Sequence, residues 1–216
     1  MSQESQPLVS IVIPCYNHAE FVQDCIRSVI DQTYQNIELI IIDDGSNDNS
    51  VEKIQELFNQ CKARFTRFEF RYRPNSGLSS TLNEALGWCR GEFFSAIASD
   101  DKLIETKIVT QIKLFSDFPD AKAIFGKVNL IDENNNFLGV AGSGFKKMDF
   151  DDFFLRNETV YAPTQFFKLQ CIKSIGYKNG FILEDCYILL KFLADGGYVI
   201  QSDDIYSFYR FHTNNT

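Results

Sequence analysis

Ile37-Glu38-Leu39-Ile40-Ile41-Ile42-Asp43-Asp44-Gly45-Ser46 decides the fold of this chain. The run from Ile37 to Ile42 is apolar at every position but Glu38 and rich in β-branched isoleucine. A strand with one wet face would alternate apolar and polar residues. This one does not, so it reads as a central strand of a parallel sheet, covered on both sides. The polar loop Asp43 to Asn49 follows, and apolar spacing from about Ser50 to Gln60 predicts a helix. Asn49 with Glu52 three residues later is spaced for an N-terminal cap.

The same strand–turn–helix unit recurs on either side. Leu8 to Ile13, closed by Pro14, is a short buried strand, and Glu20 to Gln32 carries helical spacing. Phe68 to Tyr72, the loop Pro74-Asn75-Ser76-Gly77 and a helix from Leu78 to Cys89 make a third unit. Phe93 to Ala98 is a strand that runs into Ser99-Asp100-Asp101, ahead of a helix from about Glu105 to Ser116. Strands alternating with helices imply right-handed crossovers and a parallel sheet. The second half differs. Ala123 to Ile131 and Phe137 to Ala141 flank a turn and predict a hairpin. Short helices are expected at Asp149 to Arg156, within Phe166 to Ile175 after a strand end, and at Asp185 to Ala194. Tyr198 to Gln201 and Ile205 to Phe211 are strand-like. The fold class is α/β: a Rossmann-like, mixed but mostly parallel sheet flanked by helices.

The chain has 216 residues, 44% hydrophobic and 23% charged, which suits a globular domain with a sizeable core. Its net charge of −8 and the lack of any Lys/Arg run beyond Lys146-Lys147 exclude a nucleic-acid binder. Six cysteines are present, none in a C-x-x-C pair, so zinc-site spacing is absent. Met1 to Gln6 is polar and not signal-like, so reduced thiols in a cytosolic chain are expected. No apolar run is long enough to span a bilayer.

In open parallel sheets, ligands bind beyond the carboxyl ends of the strands. Three polar clusters fall there: Pro14-Cys15-Tyr16-Asn17, Asp43-Asp44-Gly45-Ser46 and Ser99-Asp100-Asp101. Asp-Gly alone is a common turn pair, but here it joins a strand to a helix. A carboxylate at that turn can accept a hydrogen bond from a base ring N–H, with Tyr16 closing over the ring. Asp100-Asp101 suits a helix N-terminus and equally suits a hard divalent cation, since Mg²⁺ or Mn²⁺ takes one or two carboxylates plus substrate phosphates. Glu184-Asp185 is either a helix cap or the source of a general base.

These clusters, in this order, resemble the family 2 glycosyltransferases, inverting enzymes of the A-type glycosyltransferase fold. The segments that carry the resemblance are V-S-I-V-I-P-C-Y-N, I-I-I-D-D-G-S-N-D-N-S, N-S-G-L-S-S-T-L-N-E-A-L, S-D-D, L-E-D-C and Y-R-F-H-T-N-N-T, between residues 9 and 216. The resemblance implies one catalytic domain over residues 1–216. About 8–101 would form a nucleotide-binding half and about 102–216 an acceptor-side half. It implies that Pro14, Tyr16, Asn17 and Asp43 hold the nucleoside, with Asp43 on a uracil ring. Asp44 supports the turn or the ribose. Asn75, Gly77 and Leu78 lie near nucleotide and sugar, and Asp100 faces the ribose and sugar. Asp101 and His212 bind the metal, Mn²⁺ or Mg²⁺, with Arg210 assisting nearby. Asp185 is the base, and Glu184 contacts the acceptor or shares that role. Where many relatives carry A-R-N, this chain has Thr81-Leu82-Asn83, and Arg71 or Arg73 is expected to take over the phosphate contact.

The implied reaction moves a sugar from a UDP-sugar to a glycan or a polyprenyl-diphosphate-linked acceptor. Its setting is surface polysaccharide synthesis, lipopolysaccharide or capsule. The enzyme would be cytoplasmic, with peripheral contact at the inner face of the membrane. A dinucleotide-dependent oxidoreductase would need G-x-G-x-x-G where Pro14-Cys15-Tyr16-Asn17 stands. A glycoside hydrolase would use paired carboxylates without a nucleotide pocket. A nucleotidyltransferase would show a basic glycine-rich loop, and a lectin-like module would not need three acidic clusters at strand ends.

Overall fold

A computed structural model of the chain describes residues 6–156, 158–180 and 184–213. Its first half is β1 (Val9–Cys15), α1 (Val22–Ile30), β2 (Ile37–Asp43), α2 (Ser50–Gln55), α3 (Phe58–Arg64), β3 (Arg67–Tyr72), α4 (Leu78–Trp88), β4 (Phe93–Ala96), β5 (Lys102–Leu103) and α5 (Lys107–Asp117). The second half is β6 (Ala123–Asp132), β7 (Phe137–Ala141), β8 (Lys146–Met148), α6 (Phe150–Leu155), β9 (Phe166–Lys168), α7 (Leu169–Ile175), α8 (Glu184–Ala194) and β10 (Val199–Phe211).

All ten strands join one sheet, in the order β3-β2-β1-β4-β9-β6-β10-β5, with β7 added to β6 and β8 to β10. From β3 to β4 every pairing is parallel. The strand β9 then enters antiparallel between β4 and β6, and β10 runs parallel to β6. The fold is thus a mixed α/β sheet flanked by helices. The run at 37–42 behaves as its composition requires. Ile37, Leu39 and Ile41 pack into the core under α1, α2, α3 and α5. Ile40 and Ile42 pack into the opposite core with α4, α7 and α8. Glu38 is fully buried on the same strand. It is kept there by Ser10 Oγ (2.5 Å), the Arg90 amide (2.6 Å) and Arg67 (3.0 Å), as a buried charge must be. Phenylalanines fill the middle of the sheet, with Phe93, Phe115 and Phe166 rings 5.0–5.8 Å apart.

Three local expectations change. The helix expected from Ser50 to Gln60 is two helices, α2 and α3, and Asn49 makes no cap hydrogen bond. Asp48 takes that place, because its Oδ1 accepts from the Ser50 amide at 2.9 Å and the Ser50 hydroxyl at 2.6 Å. The two C-terminal strand segments are one 13-residue strand, β10, kept continuous by register shifts at Gln201, Ile205 and Ser207. None of the six cysteines forms a disulfide among the described residues. Among the described residues, no helix is long and apolar enough to cross a membrane.

Lys107 on α5 is fully buried, its Nζ 2.6 Å from Ser95 Oγ and 3.1 Å from the Gln165 carbonyl. Burial pushes its pKa down to about 7. The unfolded chain therefore holds a proton on this lysine up to about pH 10.4, while the folded chain releases it near neutrality. Stability from this group rises with pH between those limits. Urea unfolding at pH 7, 8 and 9 is expected to show wild type gaining on Lys107→Met by up to about 1.4 kcal/mol per pH unit. A flat difference would show that the lysine stays charged in the fold.

Candidate active site

The carboxyl ends of β1, β2 and β3 are level, with Cys15 paired to Asp43 and Asp43 to Tyr72. The loops leaving these strands and β4 enclose a cavity of about 630 Å³. Pro14, Tyr16 and Asn17 line it from the first loop, Asp44 from the second, Asn75, Gly77 and Leu78 from the third, and Asp100 from the fourth. Eight of the nine residues expected at the nucleotide therefore meet around one space. His18, Thr81, Ala98 and Ser99 line it too.

The ninth, Asp43, was expected at the base and does not line this cavity. It is fully buried. Its Oδ1 accepts from the Gly45 amide (3.1 Å) and the Ser46 amide (2.8 Å), and its Oδ2 from the Ser46 hydroxyl (2.7 Å). It builds the turn, and Asp44 is the carboxylate that faces the cavity. Asp44 Oδ1 accepts from the Ser76 amide and Oδ2 from the Gly77 amide, each at 2.9 Å, and Arg73 pairs with Oδ1. Arg73 also reaches Glu84 and Thr81, each at 2.8 Å. This grip pulls the 74–77 loop onto the β2 turn so tightly that Gly45 is obligatory. Its φ is +82° and an added Cβ would sit 2.6 Å from the Asn75 amide.

The metal ligands expected from sequence were Asp101 and His212. The structure brings His212 to Asp100 instead, and adds His18. His212 Nε2 lies 2.9 Å from Asp100 Oδ2, and His18 Nε2 lies 3.9 Å from the same oxygen. One ligand atom from each of His18, Asp100 and His212 falls within 4.8 Å of the others. Asp100 Oδ1 is buried without a hydrogen-bond partner among the described residues. Asp101 turns the other way. It is 2% exposed, its Oδ1 accepts the Arg210 amide at 2.9 Å, and burial next to Asp100 pushes its carboxyl well above the usual range. Burial likewise lowers the pKa of His18, against the opposing pull of Asp100.

Arg210, expected to assist beside the metal, is fully buried. Its Nε donates to the Asp100 carbonyl at 2.7 Å, its Nη1 to the Asp132 and Glu133 carbonyls at 3.2 Å, and its Nη2 to Asn135 Oδ1 at 3.1 Å. Phe21 stacks between this guanidinium (4.8 Å) and the His212 ring (4.8 Å). A second cavity of about 460 Å³, lined by Asn17, His18, Glu20, Phe21, Asp48 and His212 among others, adjoins the histidines.

The profile of the family described as "Glycosyl transferase family 2" matches residues 10–175. The chain belongs to glycosyl transferase family 2. An uncharacterized glycosyltransferase of Rickettsia conorii is 37% identical over 61% of this chain and 21% of its own length. The glycosyltransferase GlyG of Streptococcus pneumoniae is 27% identical over 94% of this chain and 71% of its own. The chondroitin synthase of Pasteurella multocida is 36% identical over 50% and 11%. The chain thus spans about a fifth of the Rickettsia relative, and less of the synthase. Among solved structures, TarS of S. aureus in complex with UDP-GlcNAc superposes with a TM-score of 0.76 at 19% identity, over 96% of this chain and 60% of that one. The mannosyltransferase PcManGT of Pyrobaculum calidifontis, in complex with GDP-Man and Mn²⁺, gives 0.77 at 14%, over 98% and 59%. These likenesses establish the A-type glycosyltransferase fold.

In this family 2 chain, Asp185 stands half-buried in the first turn of α8. Its Oδ1 accepts the Cys186 amide at 2.8 Å, and it lines neither cavity. The side chain of Glu184 lies outside the described residues. Arg71 pairs with Glu84 at 2.8 Å, and Arg73 with Asp44 and Glu84, so neither points free toward a phosphate. His18 was the residue that sequence reasoning missed.

The split between the paired aspartates is measurable. Asp43→Ala orphans two buried donors and one part-buried one and is expected to lower stability by about 2–4 kcal/mol in urea unfolding. Asp44→Asn, which alters the carboxylate lining the cavity, is expected to lose less stability than Asp43→Ala in the same urea series. Equal or greater destabilisation by Asp44→Asn would return the turn-building role to Asp44.

Proposed function

We propose that this glycosyltransferase moves a sugar, with inversion, from a UDP-sugar to a hydroxyl of a glycan or polyprenyl-diphosphate-linked acceptor in surface-polysaccharide synthesis. One observation carries the reading. The cavity at the strand ends, framed by Tyr16 and Asp44, opens at its other side onto a carboxylate flanked by two imidazoles. That arrangement supports a nucleoside site joined to a cation and diphosphate site. The nucleotide-sugar complexes of TarS and of the Pyrobaculum enzyme support such a donor here. Residues 1–216 act as one catalytic domain in this reading.

Among the described residues Asp44 Oδ2 accepts one backbone amide, so a lone pair remains for a base ring N–H. Tyr16, 44% exposed, closes over the ring. Pro14, Asn17, Asn75, Gly77 and Leu78 shape the walls. The buried, unpartnered Asp100 Oδ1 fits a cation ligand, and Asp100 with His212 would hold Mn²⁺ or Mg²⁺. When bound, such an ion neutralises the diphosphate and stabilises it as a leaving group. Asp185 takes the proton from the acceptor hydroxyl as it attacks the anomeric carbon from the face opposite the diphosphate. Glu184 contacts the acceptor or shares that role. One displacement turns an α-linked donor into a β-linked product. The enzyme works in the cytoplasm, at the inner face of the membrane.

A panel of nucleotide sugars assayed for donor hydrolysis with and without Mn²⁺ tests the reading. Hydrolysis is expected for a UDP-sugar and only with the ion. Asp185→Asn is expected to lower transfer by a factor of about 10²–10⁴, with UDP affinity within about twofold of wild type. Normal turnover by that variant would remove Asp185 as the base, and failure of UDP with Mn²⁺ to raise the melting temperature would overturn the assignment as a whole.

A further inference from the structure

We propose that His18 is a third protein ligand of the cation, and that it makes the site select Mn²⁺-type transition ions over Mg²⁺. The inference rests on the reading of Asp100 and His212 as cation ligands and adds to it a residue and a selectivity.

The geometry supplies the argument. Two ligands of one ion can stand no farther apart than twice a bond of about 2.1 Å, or about 4.2 Å. Asp100 Oδ2 lies 2.9 Å from His212 Nε2 and 3.9 Å from His18 Nε2, inside that limit for both pairs. All three ligand atoms lie within 4.8 Å of one another, so the two imidazoles need only a small closing movement to share an ion. The other nitrogen of His18 is already engaged, with Nδ1 2.7 Å from Ser99 Oγ. With Nδ1–H donating to that hydroxyl, Nε2 keeps its lone pair for an ion, which is how outer partners orient metal-bound histidines. The backbone under the ring is fixed as well. The His18 amide donates to Ser50 Oγ at 2.9 Å, and the Ala19 amide to Asp48 Oδ2 at 3.0 Å. The His18 ring stands edge-on to His212, with centroids 5.6 Å apart. Asp100 Oδ1, buried and unpartnered among the described residues, is the independent sign that something else completes this cluster.

The donor set then decides the ion. Imidazole nitrogen suits first-row transition ions, Zn²⁺ and Fe²⁺ more than Mn²⁺. Mn²⁺ also takes oxygen, but it accepts nitrogen and sheds water more readily than Mg²⁺, which demands oxygen ligands and keeps its waters. Two imidazoles and one carboxylate leave open positions for diphosphate oxygens, and they place the selectivity on the histidines.

The test uses the whole chain with UDP. Mn²⁺ and Mg²⁺ affinities are measured by calorimetry for wild type, His18→Ala, His18→Gln, Ser99→Ala and His212→Ala, and pulsed paramagnetic resonance of bound Mn²⁺ counts coupled imidazole nitrogens. Wild type is expected to show two such nitrogens, and His18→Ala and His212→Ala one each. His18→Ala is expected to lose Mn²⁺ affinity about tenfold or more and Mg²⁺ affinity less than about threefold. His18→Gln, which offers an oxygen, moves the preference toward Mg²⁺. Ser99→Ala lowers Mn²⁺ affinity about tenfold by releasing the ring. A single nitrogen in wild type, or an unchanged Mn²⁺ affinity and spectrum in His18→Ala, overturns the inference while the effect of His212→Ala leaves the two-residue site standing. No Mn²⁺ binding by wild type would overturn both.

Discussion

A guanidinium with no exposure to water holds the site together. Arg210 reaches the Asp100 carbonyl, the Asp132 and Glu133 carbonyls and Asn135, lies 3.8 Å from Asp24, and covers the Phe21 ring. A buried arginine is tolerated only when its donors are met, and meeting them here ties four places into one: the loop after β4, the β6–β7 turn, the start of α1 and the end of β10. Its own backbone amide holds Asp101. Two residues farther along the same strand direction, His212 is delivered to Asp100. The Y-R-F-H segment therefore combines an anchor with the residue it positions. Read as letters, its arginine was expected to assist beside the metal. Its burial makes it the support beneath His212.

The two aspartate pairs divide their work in opposite order. In Asp43-Asp44 the first carboxylate builds the turn and the second faces the cavity. In Asp100-Asp101 the first faces the cavity and the second is drawn into the fold. Successive side chains leaving a strand point to opposite sides, so one of each pair must turn inward. Which one depends on where the strand stops. The strand β2 continues through Asp43, while β4 ends at Ala96 and leaves an irregular stretch before Asp100. That phase is set by pairing with neighbouring strands, and a single sequence does not carry it. The convergence of the clusters was legible, but the orientation within each pair was not.

The same distinction separates the readable part of the fold from the rest. Long apolar runs announced β1, β2 and β4, and helical spacing announced α1, α4, α5 and α8, because each element buries a face its own sequence must supply. The strands β5, β8 and β9 have only two or three residues, too few to show a period. The insertion of β9 between β4 and β6 is a long-range pairing with no local signature, and it is what makes the second half of the sheet mixed. His18 escaped for a related reason. A lone histidine four residues past a strand proline is uninformative until β1 and β4 pair and bring Ser99 and Asp100 under its ring.

Charge closes the argument. The chain carries a net −8, and no lysine or arginine is among the described residues lining the larger cavity. Its two carboxylates differ in how they are balanced. Asp44 has Arg73. Asp100 has two imidazoles, and burial disfavours the charged form of His18. An anionic diphosphate entering beside Asp100 would meet an uncompensated like charge unless a cation arrived with it. Under the proposed reading, ion and nucleotide therefore share the same carboxylate and strengthen each other's binding by an equal factor, as linkage demands. On that reading, the acidic composition that first excluded nucleic acid is, at this edge of the sheet, the reason a donor would need a metal.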